Sequence, residues 1–248
     1  NNDKSLFSII KNDDLFNFLY QELKKNKFFR LQKRIKKEEI ILKKYDLVFN
    51  CDSNNKLSKK LSFKKINKNY KSFAYATIIN HKKLTNNNTA IQIFTQNGPF
   101  AFLPISQTKT SIVYSVKDKI NLNLEEHINL LNSKYNDKCI ITKIDKPIKF
   151  NLVSLNLRSY YYKNVLAFGD NLHKLHPLAG QGYNMSLRDI KEILELIKFR
   201  KNLGLPLDNS IFFEFEKKIK HKNYIFSKSI DFIYEYFNFE NKLNNTFL

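Results

Sequence analysis

Apolar residues recur along this chain in three distinct rhythms. Behind Asp13-Asp14, Leu15, Phe16, Leu19, Tyr20 and Leu23 fall at helical spacing, and Lys24-Lys25 close the run where cations oppose the helix dipole. Residues 28–42 mix Leu31, Ile35, Ile40, Ile41 and Leu42 with lysines and read as two short strands. The compact apolar run YDLVFNC, residues 45–51, predicts a strand ending in the turn cluster Asp52-Ser53-Asn54-Asn55. Strand character then dominates residues 70–80, 89–95, 100–105 and 111–116, with turns at 86–88, 96–99 and 107–108; connections this short imply an antiparallel sheet. A helix is expected over 124–135 and a strand over 139–144.

The rhythm changes again at residue 164. Val165-Leu166-Ala167-Phe168 reads as a short buried strand ended by Gly169-Asp170. A loop with two histidines leads to a long helix whose apolar face carries Leu187, Ile190, Ile193, Leu194 and Ile197. Residues 210–239 are aromatic-rich and helical, expected to pack back over the body. The order, α/β then antiparallel β then α/β, suggests one domain interrupted by another: 1–60 with 150–204, an inserted sheet at 61–149, and a C-terminal helical segment at 205–248.

Composition narrows the class. With 42% hydrophobic and 27% charged residues the chain is globular, and no apolar run approaches the roughly 20 residues of a membrane-spanning helix. Residues 1–11 lack the basic start and apolar stretch of a secretion signal, so the expected setting is cytoplasmic, at most peripheral at the inner face of the membrane. Cys51 and Cys139 form no CxxC pair, which argues against a zinc site or a disulfide framework. The net charge of +20 is spread among Asn and Ile along the whole chain; that scatter argues against a nucleic-acid partner, whose basic residues would cluster with stacking aromatics.

Chemistry concentrates in one segment. Of five glycines, three (Gly169, Gly180 and Gly182) fall within residues 169–182, which suggests backbone in close approach to a ligand. A buried strand would deliver Asp170 to its carboxyl end, where open α/β sheets bind ligands, and a helix starting near Gly180 would aim its free amides at the same crevice. A carboxylate there can accept hydrogen bonds from ligand hydroxyls, and the amides can hold an electron-rich atom. By itself this pattern is equally that of an acidic turn residue beside ordinary helix-start glycines.

The full string, VLAFGDNLHKLHPLAGQGYNMSLRD over residues 165–189, resembles the GD motif of class A FAD-dependent aromatic monooxygenases, above all its form in the ubiquinone-biosynthesis hydroxylases. The resemblance implies an α/β, para-hydroxybenzoate-hydroxylase-like FAD-binding fold with an inserted antiparallel β-sheet substrate domain and C-terminal helices. It further implies that Gly169 and Asp170 meet the ribityl chain of FAD, and that Pro177, Leu178, Ala179, Gly180, Gln181, Gly182 and Asn184 cover and stabilise the flavin ring. DLVFNCDSNN, residues 46–55, is similar to the family's strand and Asp-Gly segment. Asp52 takes the aspartate's place, but Asn50 and Ser53 stand where the family has glycines, putting the usual tight backbone approach in doubt. NGPFAFLP, residues 97–104, resembles a substrate-domain strand of the same hydroxylases, a hairpin arm that Pro104 would close.

The family opens with a strand, a GxGxxG turn and a helix, and this chain contains no such turn. It is therefore expected to be an N-terminally truncated copy without the first βαβ unit, holding FAD weakly and inactive by itself. The implied reaction is hydroxylation of a polyprenylated phenol through a C4a-hydroperoxyflavin, with NAD(P)H or another electron donor as reductant and no catalytic side-chain triad. Peripheral membrane association, or membership of a ubiquinone-biosynthesis complex, would bring such a hydrophobic substrate within reach. Rival readings are a halogenase or prenyl reductase on the same scaffold, a truncated inactive copy, and a non-enzymatic binding protein. His173 and His176 lack a third ligand, so no metal is expected, and both read as orienting the cofactor loop by hydrogen bonds or lying near the ring; His81, His127 and His221 read as surface residues, Tyr160-Tyr161-Tyr162 as strand or loop packing, and Arg188-Asp189 as a salt-bridged helix pair.

Overall fold

The computed structural model describes residues 8–32, 42–60, 65–117, 123–177 and 180–244. The chain divides into two compact units, one of residues 1–34 and 72–151, the other of residues 35–71 and 152–248. It passes between them inside two long strands, at Lys71/Ser72 and at Asn151/Leu152.

The first unit is an antiparallel meander. Strand β2 (Lys65–His81) contributes its second half, followed by β3 (Ile91–Thr95), β4 (Gly98–Ser106) and β5 (Lys109–Lys117). Two-residue turns join β3 to β4 and β4 to β5, and the sheet order is β2-β5-β4-β3, with β6 (Ile141–Ile144) added on β2. Alternation places Phe100, Phe102, Ile112 and Tyr114 on one face, where helix α3 (Leu124–Tyr135) covers them with Ile128 and Leu131. Asn123 caps that helix by accepting from the Glu126 amide. Pro104 does not close β4: the register shifts between Pro104 and Ser106, and the strand runs on to Ser106. His81, expected at the surface, is buried, with Nε2 at 3.1 Å from Thr110 Oγ1. Helix α1 (Asn12–Lys24) forms as its spacing predicts, yet buries none of its side chains. Residues 28–32 are turn and coil rather than the expected strand; residues 33–41 of that expectation lie outside the described residues, and 42–44 form a helical turn.

The second unit is built on a small sheet with the order β1-β9-β8. Strand β1 (Val48–Asn50) runs parallel to β9 (Val165–Ala167), Val48 facing Val165 and Asn50 facing Ala167. Strand β8 (Tyr161–Tyr162) returns antiparallel on the other side of β9. All three residues of β9 are fully buried, as its unbroken apolar run requires. Helix α4 (Gln181–Asn202) and the long α5 (Ser210–Asn244) enclose the sheet through Ile193, Ile211, Phe212, Phe215 and Ile219. Edge-to-face rings link Phe49 to Phe168 and to Phe212, so both parallel strands are pinned to the same helix. Arg200, buried near the end of α4, reaches Glu214 Oε1 at 2.6 Å and ties the end of α4 to the start of α5. The sequence signalled neither β7 (Ile148–Leu157) nor the two-residue β10 (His173–Lys174) that pairs with its end.

Candidate functional site

The parallel pairing of β1 and β9 brings the two motif segments out at the same end of one sheet. β1 runs on through Cys51 into the turn at Asp52, and β9 runs through Phe168 into a 3-10 turn, Gly169–Asn171. Asn50 joins the two exits. Its carbonyl accepts from the Phe168 amide at 3.0 Å and from Asn171 Nδ2 at 3.0 Å. Its side-chain amide donates to Ser58 Oγ at 2.7 Å, and its Oδ1 accepts from Asn55 Nδ2 at 2.6 Å. Ser58 in turn donates to the Asp52 carbonyl at 2.6 Å. The residue that stands where the family has a glycine is therefore a buried knot, tying α2 (Lys56–Lys60) to both strand ends.

Gly169 and Gly180 both hold left-handed backbone, with φ of 56° and 60°, and open space lies where a Cβ would be at each. A residue with a side chain would strain there, so these are the glycines the conformation needs. Asp170, between them in the chain, is exposed at the carboxyl end of β9. The 3-10 turn packs against α4. Helix α4 starts behind Gly180 with no side-chain cap, leaving its first amides available to a ligand. Gly180 N–H itself turns back to the Pro177 carbonyl at 3.2 Å. Gln181 Oε1 accepts from Asn184 Nδ2 at 3.4 Å, both on the first turn of α4. Asp52 is exposed, its Oδ1 accepting from the Asn54 amide at 2.8 Å in an Asx turn. Leu178 and Ala179 lie outside the described residues. One further acceptor sits here: Asn171 Oδ1 is buried without a hydrogen-bond partner among the described residues.

Beneath this surface lies a polar layer in which the sequence pointed to the two histidines but not to their partners. His173 Nε2 meets Asp189 Oδ2 at 2.6 Å, with both side chains 2% exposed, and Asn223 Nδ2 of α5 donates to Asp189 Oδ1 at 3.1 Å. Asp189 is thus no partner of Arg188, as the sequence suggested; Arg188 lies over the Phe226 ring at 4.3 Å. The reason is position: one residue apart on a helix, the two side chains face opposite environments. His176 is buried between Tyr70 and Tyr234, ring centroids at 4.7 and 4.3 Å. Burial above all pushes its pKa down to about 4. Tyr70 donates to the Asp231 carboxylate, and burial together with that bond raises its phenol pKa. No local spacing encodes these pairs, whose members come from distant segments.

A family model described as FAD binding domain matches residues 51–198, more than half of the chain. The chain belongs to this FAD-binding family. The matched span takes in both the Asp52 turn and the whole of residues 165–189, so the family match and the meeting of the two motif segments concern the same end of the same sheet. Among curated relatives, ubiquinone biosynthesis monooxygenase COQ6 of Rattus norvegicus is 27% identical over 168 residues, covering 52% of this chain and 35% of that protein. Ubiquinone hydroxylase UbiL of Rhodospirillum rubrum is 28% identical over 142 residues, covering 55% and 33%. The chain thus spans about a third of the length of these relatives. Among solved structures, the flavin-dependent brominase Bmp2 superposes with a TM-score of 0.60 at 12% identity, over 79% of this chain and 53% of that one. At that identity the likeness is one of fold, and the fold is the mixed α/β, para-hydroxybenzoate-hydroxylase-like one. Among the described residues, no helix is long and apolar enough to cross a membrane.

Proposed function

We propose that this chain carries the flavin-ring side of an FAD-dependent monooxygenase that hydroxylates a prenylated phenol on the way to ubiquinone. The observation that carries the reading is the convergence just described: Asp170, the uncapped start of α4 and two left-handed glycines around one strand end. The residues fit the cofactor in kind. An exposed carboxylate suits the hydroxyls of a ribityl chain, and helix-start amides suit the electron-rich edge of a reduced flavin ring. Open space over Gly169 and Gly180 leaves room for a flat ring system close to backbone. Bound FAD would supply the activation of dioxygen.

The chain's own part is holding and excluding. Asp170 would accept from the ribityl hydroxyls, with Gly169 giving the turn its reach. The amides near Gly180, Gln181 and Gly182 would favour negative charge on the nearby ring edge, with no proton to move. Pro177, Leu178, Ala179 and Asn184 would border the ring, and Asp52 would hold its turn at the neighbouring strand exit. The antiparallel sheet of the first unit is assigned to the substrate, a hydrophobic prenylphenol, and the electron donor to NAD(P)H or an equivalent reductant. A net charge of +20 suits approach to an anionic membrane face where such a substrate resides.

The decisive experiment titrates FAD into the 248-residue chain and into the full gene product that contains it, following flavin fluorescence. The full product is then given a prenylphenol, NAD(P)H and O2. Flavin retention and a product one oxygen heavier support the reading. Failure of both proteins to bind FAD overturns it, and halide incorporation in place of oxygen redirects it to a halogenase.

A further inference from the structure

A second concavity lies in the same unit, away from the strand exits. It has a volume of about 900 Å³ and is walled by the segment around β8 and by one face of α5. Tyr161 and Tyr162 pair with Leu166 and Val165, so this cleft flanks the beginning of β9, whereas Asp170 follows its end. Its size falls within the range of small-molecule sites.

Aromatic and cationic residues stand out in its lining. Tyr162 and Tyr224 contribute rings, whereas Tyr161, the neighbouring residue on the strand, packs on Phe212 of the core; Arg158 and Lys217 contribute cations. The carboxylate in the lining, Glu216, is already engaged at both oxygens. Oε2 accepts from the Tyr160 amide at 3.0 Å and Oε1 pairs with Lys220 at 2.7 Å. Among the described residues, neither Arg158 nor Lys217 has a carboxylate within ion-pair distance. The cleft thus keeps net positive charge beside an aromatic wall. Lys163, at the turn of the hairpin that supplies that wall, is held in left-handed backbone at φ 51°. A non-glycine residue in that conformation costs about 1 kcal/mol and persists where the surroundings impose it.

We infer that this cleft binds a small organic anion bearing a planar ring, the ring against the tyrosines and the anionic group on Arg158 and Lys217. The inference goes beyond the flavin reading and does not rest on it, because no residue is shared between the two sites.

Calorimetry on the 248-residue chain tests it, with AMP and benzoate as ring-plus-anion probes and adenosine and inorganic phosphate as the separated halves. At least one probe is expected to bind about ten-fold more tightly than either half, since ring and anion act together. Lys217→Glu, an exposed position on α5, is expected to weaken that binding about ten-fold or more, Tyr224→Ser to weaken it as well, and Asp170→Asn to leave it unchanged. Halves that bind as well as the whole, an unaffected Lys217→Glu, or affinity only for anionic vesicles would each overturn it. Loss on Asp170→Asn would do so too, by placing the probe in the flavin crevice.

Discussion

His173 and Asp189 meet at 2.6 Å in a layer almost closed to solvent, one from the segment after the Gly-Asp turn and the other from the third turn of α4. The bond ties the short strand β10 to α4. Asn223 holds the second oxygen of Asp189, so α5 clamps the same joint. Asp189→Ala would leave a buried imidazole nitrogen and a buried amide without their acceptor. The expected cost is about 3 kcal/mol, seen as a lower urea midpoint, because a buried donor stripped of its carboxylate pays its full desolvation. Asp189→Asn keeps one acceptor oxygen and should lose about half as much. An unchanged midpoint in Asp189→Ala would show that the pair does not fasten β10 to α4.

Asp170 offers the contrasting case. It is exposed, so removing its charge should leave folding within about 0.5 kcal/mol of the original. Flavin affinity should fall by one to two orders of magnitude in Asp170→Ala, since hydrogen bonds to a charged group contribute roughly 1.5–3 kcal/mol. Paired fluorescence titration and thermal melting separate the two effects. Loss of stability without loss of flavin affinity would remove this carboxylate from the site.

The parts of the fold written in local pattern could be read without coordinates. The meander of the first unit follows from alternating apolar residues and two-residue turns, both short-range signals. β9 was visible as an apolar run ending in Gly-Asp. β7 was not, because its burial runs against its hydropathy: Ile148, Phe150 and Val153 are exposed while Ser154 is buried. Residues 28–32, Phe-Phe-Arg-Leu-Gln, are apolar enough for a strand but have no partner strand among the described residues, and propensity alone does not make a sheet. Within the site, Asp170 and the start of α4 were legible. The knot of Asn50, Asn55, Ser58 and Asn171 was not, since an asparagine in place of a glycine reads as a departure until its partners are known.

His176 gives the chain a pH dependence of definite sign. Burial lowers its pKa from 6.5 to about 4, with Lys68 acting in the same direction and Asp231 against both. The rings of Tyr70 and Tyr234 enclose it. Between those two values the unfolded chain binds a proton that the folded chain refuses, so stability is complete above pH 6.5 and declines as pH falls toward 4. The contribution is roughly 3 kcal/mol from a shift of this size. His176→Phe keeps a ring between the tyrosines and removes the titration. The difference in urea midpoint between pH 7 and pH 4.5 should shrink by that amount in the variant, and an equal slope in both proteins would assign the effect to other groups.

Gly98 opens β4 with φ of 141°, a conformation side chains rarely adopt. A Cβ placed there would lie 2.1 Å from the Ser115 carbonyl oxygen of the neighbouring strand, well inside contact distance. The obstacle is sheet backbone, which cannot swing aside as a flexible side chain would. Thr95 adds to the constraint, its hydroxyl donating to the Gly98 carbonyl at 2.7 Å and accepting from the Gly98 amide at 3.2 Å. Gly98→Ala must therefore part β4 from β5 at this end or break the turn, at an expected cost of at least about 2 kcal/mol. Gly204→Ala, also at positive φ but with open space around it, should cost only about 1 kcal/mol. Hydrogen exchange localises the difference: amides of β4 and β5 should lose protection in Gly98→Ala and keep it in Gly204→Ala. Equal protection in the two would mean that the sheet yields at Ser115 more easily than its hydrogen bonds imply.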